Sequence, residues 1–85
     1  MKRLIVNADD FGMTAEISRG ILAAASAGMV LQTTAMASSP ALEESLRLLS
    51  SSGLDLDVGF HATLTWGAPL LPPSDIPTLV GPDGL

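Results

Sequence analysis

In Leu4-Ile5-Val6-Asn7-Ala8-Asp9-Asp10-Phe11-Gly12, an apolar run with β-branched Ile5 and Val6 ends in two consecutive carboxylates, with a glycine close behind. The run predicts a strand over residues 3–9, buried in a sheet. Gly12 permits a sharp turn after it. Asp9 and Asp10 then stand at the rim of a buried sheet. Two like charges 4–5 Å apart repel by roughly 3–4 kcal/mol at an effective dielectric near 20. A bound cation, a shared proton or a neighbouring base would relieve that repulsion.

Beyond the acids, Thr14 predicts a capped helix to about residue 27, with Glu16 in its first turn and Gly28 just past its end. Its buried stripe is expected at Ile17, Ile21 and Ala24 or Ala25. Residues 30–37 read as a second strand. Ser39-Pro40 predicts a second helix with proline at its first position, an apolar face at Leu42, Leu46 and Leu49, and Gly53 as its stop. Residues 56–61 read as a third strand, Leu56-Asp57-Val58-Gly59-Phe60-His61. Strand and helix alternate with a repeat of about 26 residues, which implies an α/β fold with a parallel sheet and right-handed crossovers. After Thr65, prolines and glycines from Gly67 to Gly84 predict a loop with no regular element.

Hydrophobic residues make up 47% of the 85-residue chain and charged residues 15%, which excludes disorder. The balance is unusually apolar for a chain so short, which must expose much of its surface. Parallel strands are usually covered on both faces, and three of them leave two raw edges. We therefore expect residues 1–85 to be the N-terminal part of one larger barrel or doubly wound domain, with 1–65 as a βαβαβ unit and 66–85 as a Pro/Gly-rich loop. A self-sufficient mini-domain, or a homo-oligomer that pairs its edges, is the alternative. With a net charge of −5 and four Lys and Arg, the chain lacks the basic face that nucleic acid requires. The absence of cysteine excludes disulfides and thiolate metal sites. The apolar run behind Met1-Lys2-Arg3 fails at Asn7, too early for a signal peptide. The mild apolar stretch from Gly20 to Leu31 is broken by Ser26 and Gly28 and falls short of the about 20 residues a membrane span needs. A cytoplasmic protein is expected.

Functional groups in parallel α/β folds gather at the C-terminal ends of strands. Asp9 and Asp10 end the first strand, Ser38 and Ser39 follow the second, and His61, the only histidine, ends the third. Asp55 and Asp57 fall on the opposite rim. Asn7 and Asp9, two apart, share a face, while Asp10 points away unless the turn begins there. Imidazole with carboxylate is a ligand set for zinc, and carboxylate with water suits magnesium. Asp10 and His61 supply two ligands, and no third is evident. Asn7, Thr63 and Trp66 are candidates for substrate contact, and Asn7 for supporting an acid. Phe11 reads as packing, and Met13, Met29 and Met36 as core filler.

The strand-Asp-Asp-Phe-Gly segment, the Thr33-Thr34 pair and Val58-Gly59-Phe60-His61-Ala62-Thr63-Leu64-Thr65 with Gly67 and Pro69 together resemble the YdjC-like carbohydrate deacetylases, a family that includes chito-oligosaccharide deacetylases and hopanoid-biosynthesis-associated members. The resemblance is collinear and covers nearly the whole chain. It implies a TIM-like (β/α) barrel and a metal-dependent hydrolase that removes acetyl groups from N-acetylated amino sugars or oligosaccharides. It also implies a metal held by one Asp and two His, with magnesium the first candidate and zinc the second. Carried onto this sequence, Asp10 and His61 are ligands and Asp9 is the catalytic base. The second histidine of such a site lies beyond Leu85 in family members, so the 85 residues alone are expected to be inactive. Two rival readings stand beside this one. The first is a truncated, non-catalytic metal-binding remnant or partner-dependent module. The second is a receiver-type phosphoacceptor domain, which the histidine at the end of the third strand disfavours, because that position should hold an acceptor Asp.

Overall fold

Strand and helix alternate through the first sixty residues of the computed structural model, which describes residues 1–85. The elements are β1 (Asn7–Phe11), α1 (Ala15–Ser26), β2 (Gln32–Ala35), α2 (Leu42–Ser52) and β3 (Asp57–Phe60). They build a three-stranded parallel sheet in the order β1-β2-β3. No helix is long and apolar enough to cross a membrane.

Helix α1 is bounded as its caps dictate. The Thr14 hydroxyl accepts a hydrogen bond from the Ile17 amide at 3.1 Å. At the other end Gly28, with φ +78°, lets its own amide reach the Ala25 carbonyl and the Met29 amide reach the Ala24 carbonyl. That paired closure needs a left-handed residue, which glycine adopts without strain. Helix α2 begins two residues later than Ser39-Pro40 suggests. The Ser39 hydroxyl accepts from the Ala41 amide and its carbonyl accepts from the Leu42 amide, forming a separate turn ahead of the helix.

The helices pack on each other, and α1 packs on β1. Phe11, Ile21 and Leu22 form the centre of the core, joined by Ala8, Ala35, Leu48, Leu49, Leu54 and Leu56. Met36 is also buried. Ala8, Thr33 and Ala35 thus face the helices, and alternation turns Asn7, Gln32, Thr34, Asp57 and Gly59 to the open face. Nine of the 85 residues are buried, and the radius of gyration is 15.2 Å, against about 12 Å for a compact chain of this length. The molecule is one sheet covered on one side.

Several expectations change. Leu4, Ile5 and Val6 are exposed and lie before β1, because β2 starts at Gln32 and offers them only the bond from the Leu31 amide to the Val6 carbonyl. The buried stripe of α1 runs through Ser18, Ile21 and Leu22, with Ile17 turned out. In α2, Ser45 is buried and Leu46 is exposed. Met29 follows the cap of α1 into solvent. Val58 and Phe60 are exposed, since neither helix lies over β3. The loop after Thr65 carries one short 3-10 turn, Pro73–Asp75.

Two glycines predict opposite signs. Gly20 lies exposed inside α1 with open space around its would-be Cβ, so Gly20→Ala stabilises by about 0.5–1 kcal/mol. Gly28→Ala destabilises by about 1–2 kcal/mol, the cost of a left-handed L-residue. Urea denaturation of the two variants checks both signs.

Candidate active site

The site is built on an irregularity in β1. Ala8 pairs with Thr33 and Phe11 with Ala35, so Asp9 and Asp10 together oppose Thr34 alone. This is a β-bulge, which bends the strand and re-aims its side chains. Asp10 takes φ +69°, the only non-glycine residue in the chain with a positive φ. Aspartate is among the few residue types that visit this region, because its short polar side chain can bond locally. The backbone leaves the bulge through Gly12, where φ is +86° and an added Cβ would lie 2.9 Å from Leu42 Cδ1 and 3.3 Å from Leu42 Cα. Gly12 is therefore required twice, by its own conformation and by the approach of α2.

Strict alternation would send Asp10 to the opposite face from Asp9. The bulge instead brings Asp10 Oδ1 to 3.1 Å from His61 Nε2. His61 follows β3, and its amide bonds to the Ala35 carbonyl at 2.9 Å, continuing the ladder by one residue. The ring's other nitrogen, Nδ1, lies 2.9 Å from the Ala62 carbonyl oxygen. A carbonyl only accepts, so Nδ1 carries a proton and donates it. In a neutral ring Nε2 is then a bare lone pair facing a carboxylate oxygen, and two acceptors at this distance repel. The arrangement is complete only with positive charge between or on these atoms: a proton or a metal cation. A backbone carbonyl behind the ring is also the usual support of a metal-binding histidine. No third His, Cys, Asp or Glu joins this pair within the chain.

Asp9 stays exposed and is held differently. Asn7 Nδ2 donates to Asp9 Oδ1 at 2.7 Å and lies 3.4 Å from Thr34 Oγ1. Asn7 Oδ1 is buried without a partner. Turning the amide over would set that oxygen against the Asp9 carboxylate, so the acid fixes which way the amide points. Gly59 faces Thr34, whose methyl would sit 3.4 Å from an added Cβ.

Thr63 donates to the His61 carbonyl at 3.2 Å and so braces the backbone behind the ring. Thr63, Ser38 and half-buried Trp66 line an apolar cavity of about 330 Å³ under Pro69, Leu70 and Ile76. Ser39 is buried and donates to the Met13 carbonyl at 3.3 Å, tying two loops together. Asp55 and Asp57 are exposed at the far rim. Ser18 has no role in the sequence pattern. It is fully buried, and its hydroxyl accepts from the Gly12 amide at 2.9 Å. A serine standing one position from the expected apolar stripe of α1 is the only signal that could have shown it.

A family model described as YdjC-like protein matches residues 3–85. A carbohydrate deacetylase of Enterococcus faecalis is 41% identical over 85 residues, covering 98% of this chain and 32% of that protein. Those of Halalkalibacterium halodurans and Geobacillus stearothermophilus are 42% and 45% identical, covering 96% and 94% of this chain and 33% and 31% of theirs. A solved structure from Enterococcus faecalis, described as a candidate cellobiose-phosphate cleavage protein, superimposes with a TM-score of 0.86 at 40% identity, covering 94% of this chain and 31% of that one. The chain thus spans about a third of the length of the relatives it matches.

The left-handed conformation of Asp10 separates its charge from its backbone role. Asp10→Asn keeps the stability of the parent within about 0.5 kcal/mol, because asparagine also tolerates this region. Asp10→Val costs about 1–2 kcal/mol or more, since a β-branched residue there is strained. Denaturant midpoints of the two variants measure the difference.

Proposed function

The chain belongs to the YdjC-like family, and on that premise we propose that it forms the first part of a metal-dependent carbohydrate deacetylase that hydrolyses the acetamide of an N-acetylated amino sugar or oligosaccharide. The observation that carries the reading is the convergence of Asp10 and His61 beside an Asp9 that a neighbouring amide holds in place. The relatives named above share the carbohydrate deacetylase description. In the same reading the sheet is the start of a (β/α) barrel, with its helices outside and the polar face of Asn7, Gln32, Thr34 and Asp57 lining the interior.

Asp10 Oδ1 and His61 Nε2 are the atoms that would hold a divalent cation, magnesium or zinc, with a third protein ligand from outside these 85 residues. Their donor set of one oxygen and one imidazole nitrogen fits such an ion. When bound, the cation polarises the amide carbonyl and makes water a stronger acid. Asp9 is the general base. Asn7 occupies its Oδ1, which leaves Oδ2 to take the proton of the attacking water. His61 is kept in one tautomer by Ala62 and in one orientation by the ladder bond of its amide. As the C–N bond breaks, the leaving nitrogen gains a proton, acetate departs and the sugar keeps a free amine. Trp66, beside Thr63 on the same rim, offers an aromatic face to the sugar.

The test is acetate release from N-acetylated chito-oligosaccharides by the whole protein, with metal content measured on the same samples. Asp9→Asn lowers turnover by about 10²–10⁴-fold with the metal retained, the range expected for loss of a general base. His61→Ala loses the metal itself. An active Asp9→Asn variant would overturn the base assignment. The description of the Enterococcus structure points to a disaccharide phosphate instead. Cleaved disaccharide in place of free acetate would favour that substrate class.

A further inference from the structure

We propose that Thr33 and Ser18 are positioning residues: two buried hydroxyls that grip the ends of the bulge and so hold Asp10 against His61. At the entrance, Thr33 Oγ1 donates to the Ala8 carbonyl at 2.6 Å, at the last regular pair before the irregularity. At the exit, Ser18 Oγ accepts from the Gly12 amide at 2.9 Å. Both side chains are fully buried. Between these two bonds lie only Asp9, Asp10 and Phe11.

The exit grip is anchored in both helices. Ser18 Oγ is 2.8 Å from Ser45 Oγ, and Ser45 Oγ is 2.8 Å from the Ala41 carbonyl. Ser18 Oγ also lies 3.0 Å from the Thr14 carbonyl, and each hydroxyl has one proton: Ser18 donates to Ser45 and Ser45 to Ala41, or Ser18 donates to Thr14 and Ser45 to Ser18. In both arrangements Ser18 Oγ keeps a lone pair for the Gly12 amide. A buried hydroxyl is costly unless it is bonded, and here each is bonded to the turn that carries the acids or to a partner that braces it. Residues in left-handed backbone persist only where their surroundings over-determine them. A one-residue slip of β1 would reverse which side chains face the rim, carrying Asp10 away from His61.

This inference rests on the deacetylase reading, and its test separates the two. In the whole protein, Thr33→Val and Ser18→Ala are compared with the parent by Zn²⁺ titration calorimetry and by steady-state acetate release. The expected result is a fall of about 10–100-fold in Zn²⁺ affinity and in kcat with KM unchanged, the range for groups that orient metal ligands. Thr33→Ser, which keeps the hydroxyl, restores both. Variants that bind Zn²⁺ and turn over like an active parent would overturn the clamp and leave the functional reading standing. A parent that neither binds Zn²⁺ nor releases acetate would overturn the functional reading. The clamp then stands or falls on hydrogen exchange at the Gly12 amide, which Ser18→Ala accelerates if the hydroxyl holds the turn and leaves unchanged if it does not. Should Ser18→Ala not fold, Ser18→Cys takes its place: the thiol fills the space but is a weak acceptor, and a Gly12 amide that exchanges no faster in it overturns the exit grip.

Discussion

The approach of Asp10 to His61 rests on one extra residue in β1. In a regular parallel strand, two consecutive aspartates cannot both serve one site, because their side chains leave opposite faces of the sheet. The bulge at Asp9–Asp10 removes that restriction. It requires a positive φ at Asp10 and another at Gly12, and the chain supplies an aspartate and a glycine there. The local cost falls on the residue types that bear it best.

The packing around the bulge explains why it holds. Phe11, the next residue, has no exposed surface and packs with Ile21 and Leu22. Its carbonyl accepts from the Met36 amide at 2.9 Å, and the Asp10 carbonyl accepts from Met13 at 3.0 Å. The strained segment is thus bounded by a buried aromatic ring, a backbone turn and two buried hydroxyls. The rest of the molecule is loosely built by comparison. Its core has four buried apolar side chains, and the order of the structure is concentrated beneath the acids.

Electrostatics assigns the two acids different surroundings. Asp9 is answered by a neutral amide, which orients it without neutralising it. Asp10 faces an imidazole nitrogen whose lone pair is directed at it once Nδ1 is committed to the Ala62 carbonyl. In the proposed reading, that difference makes one carboxylate the base and the other a cation ligand. The sheet register accounts for the difference: β3 runs beside β2 and delivers His61 to the level that the bulge brings Asp10 to reach.

Much of this was legible in the residues themselves. The capping hydroxyl of Thr14 and the glycines at 28 and 53 marked helix ends, because caps are local chemistry. The repeat of strand and helix gave a parallel sheet, and chain direction alone put Asp9, Asp10 and His61 on one rim. Burial was less legible. Ile17 and Leu46 look like core residues and are exposed, while Ser18 and Ser45 look like surface residues and are buried, because a hydroxyl with partners on both sides can replace an apolar contact at a helix–helix crossing. The order of elements, their direction and the groups that meet at the rim could be read from the residues alone, since these follow from periodicity and local bonding. That Asp10 turns toward His61 while Asp9 turns toward Asn7 emerges from strand pairing, because a bulge is a mismatch between two strands and exists only once they are paired.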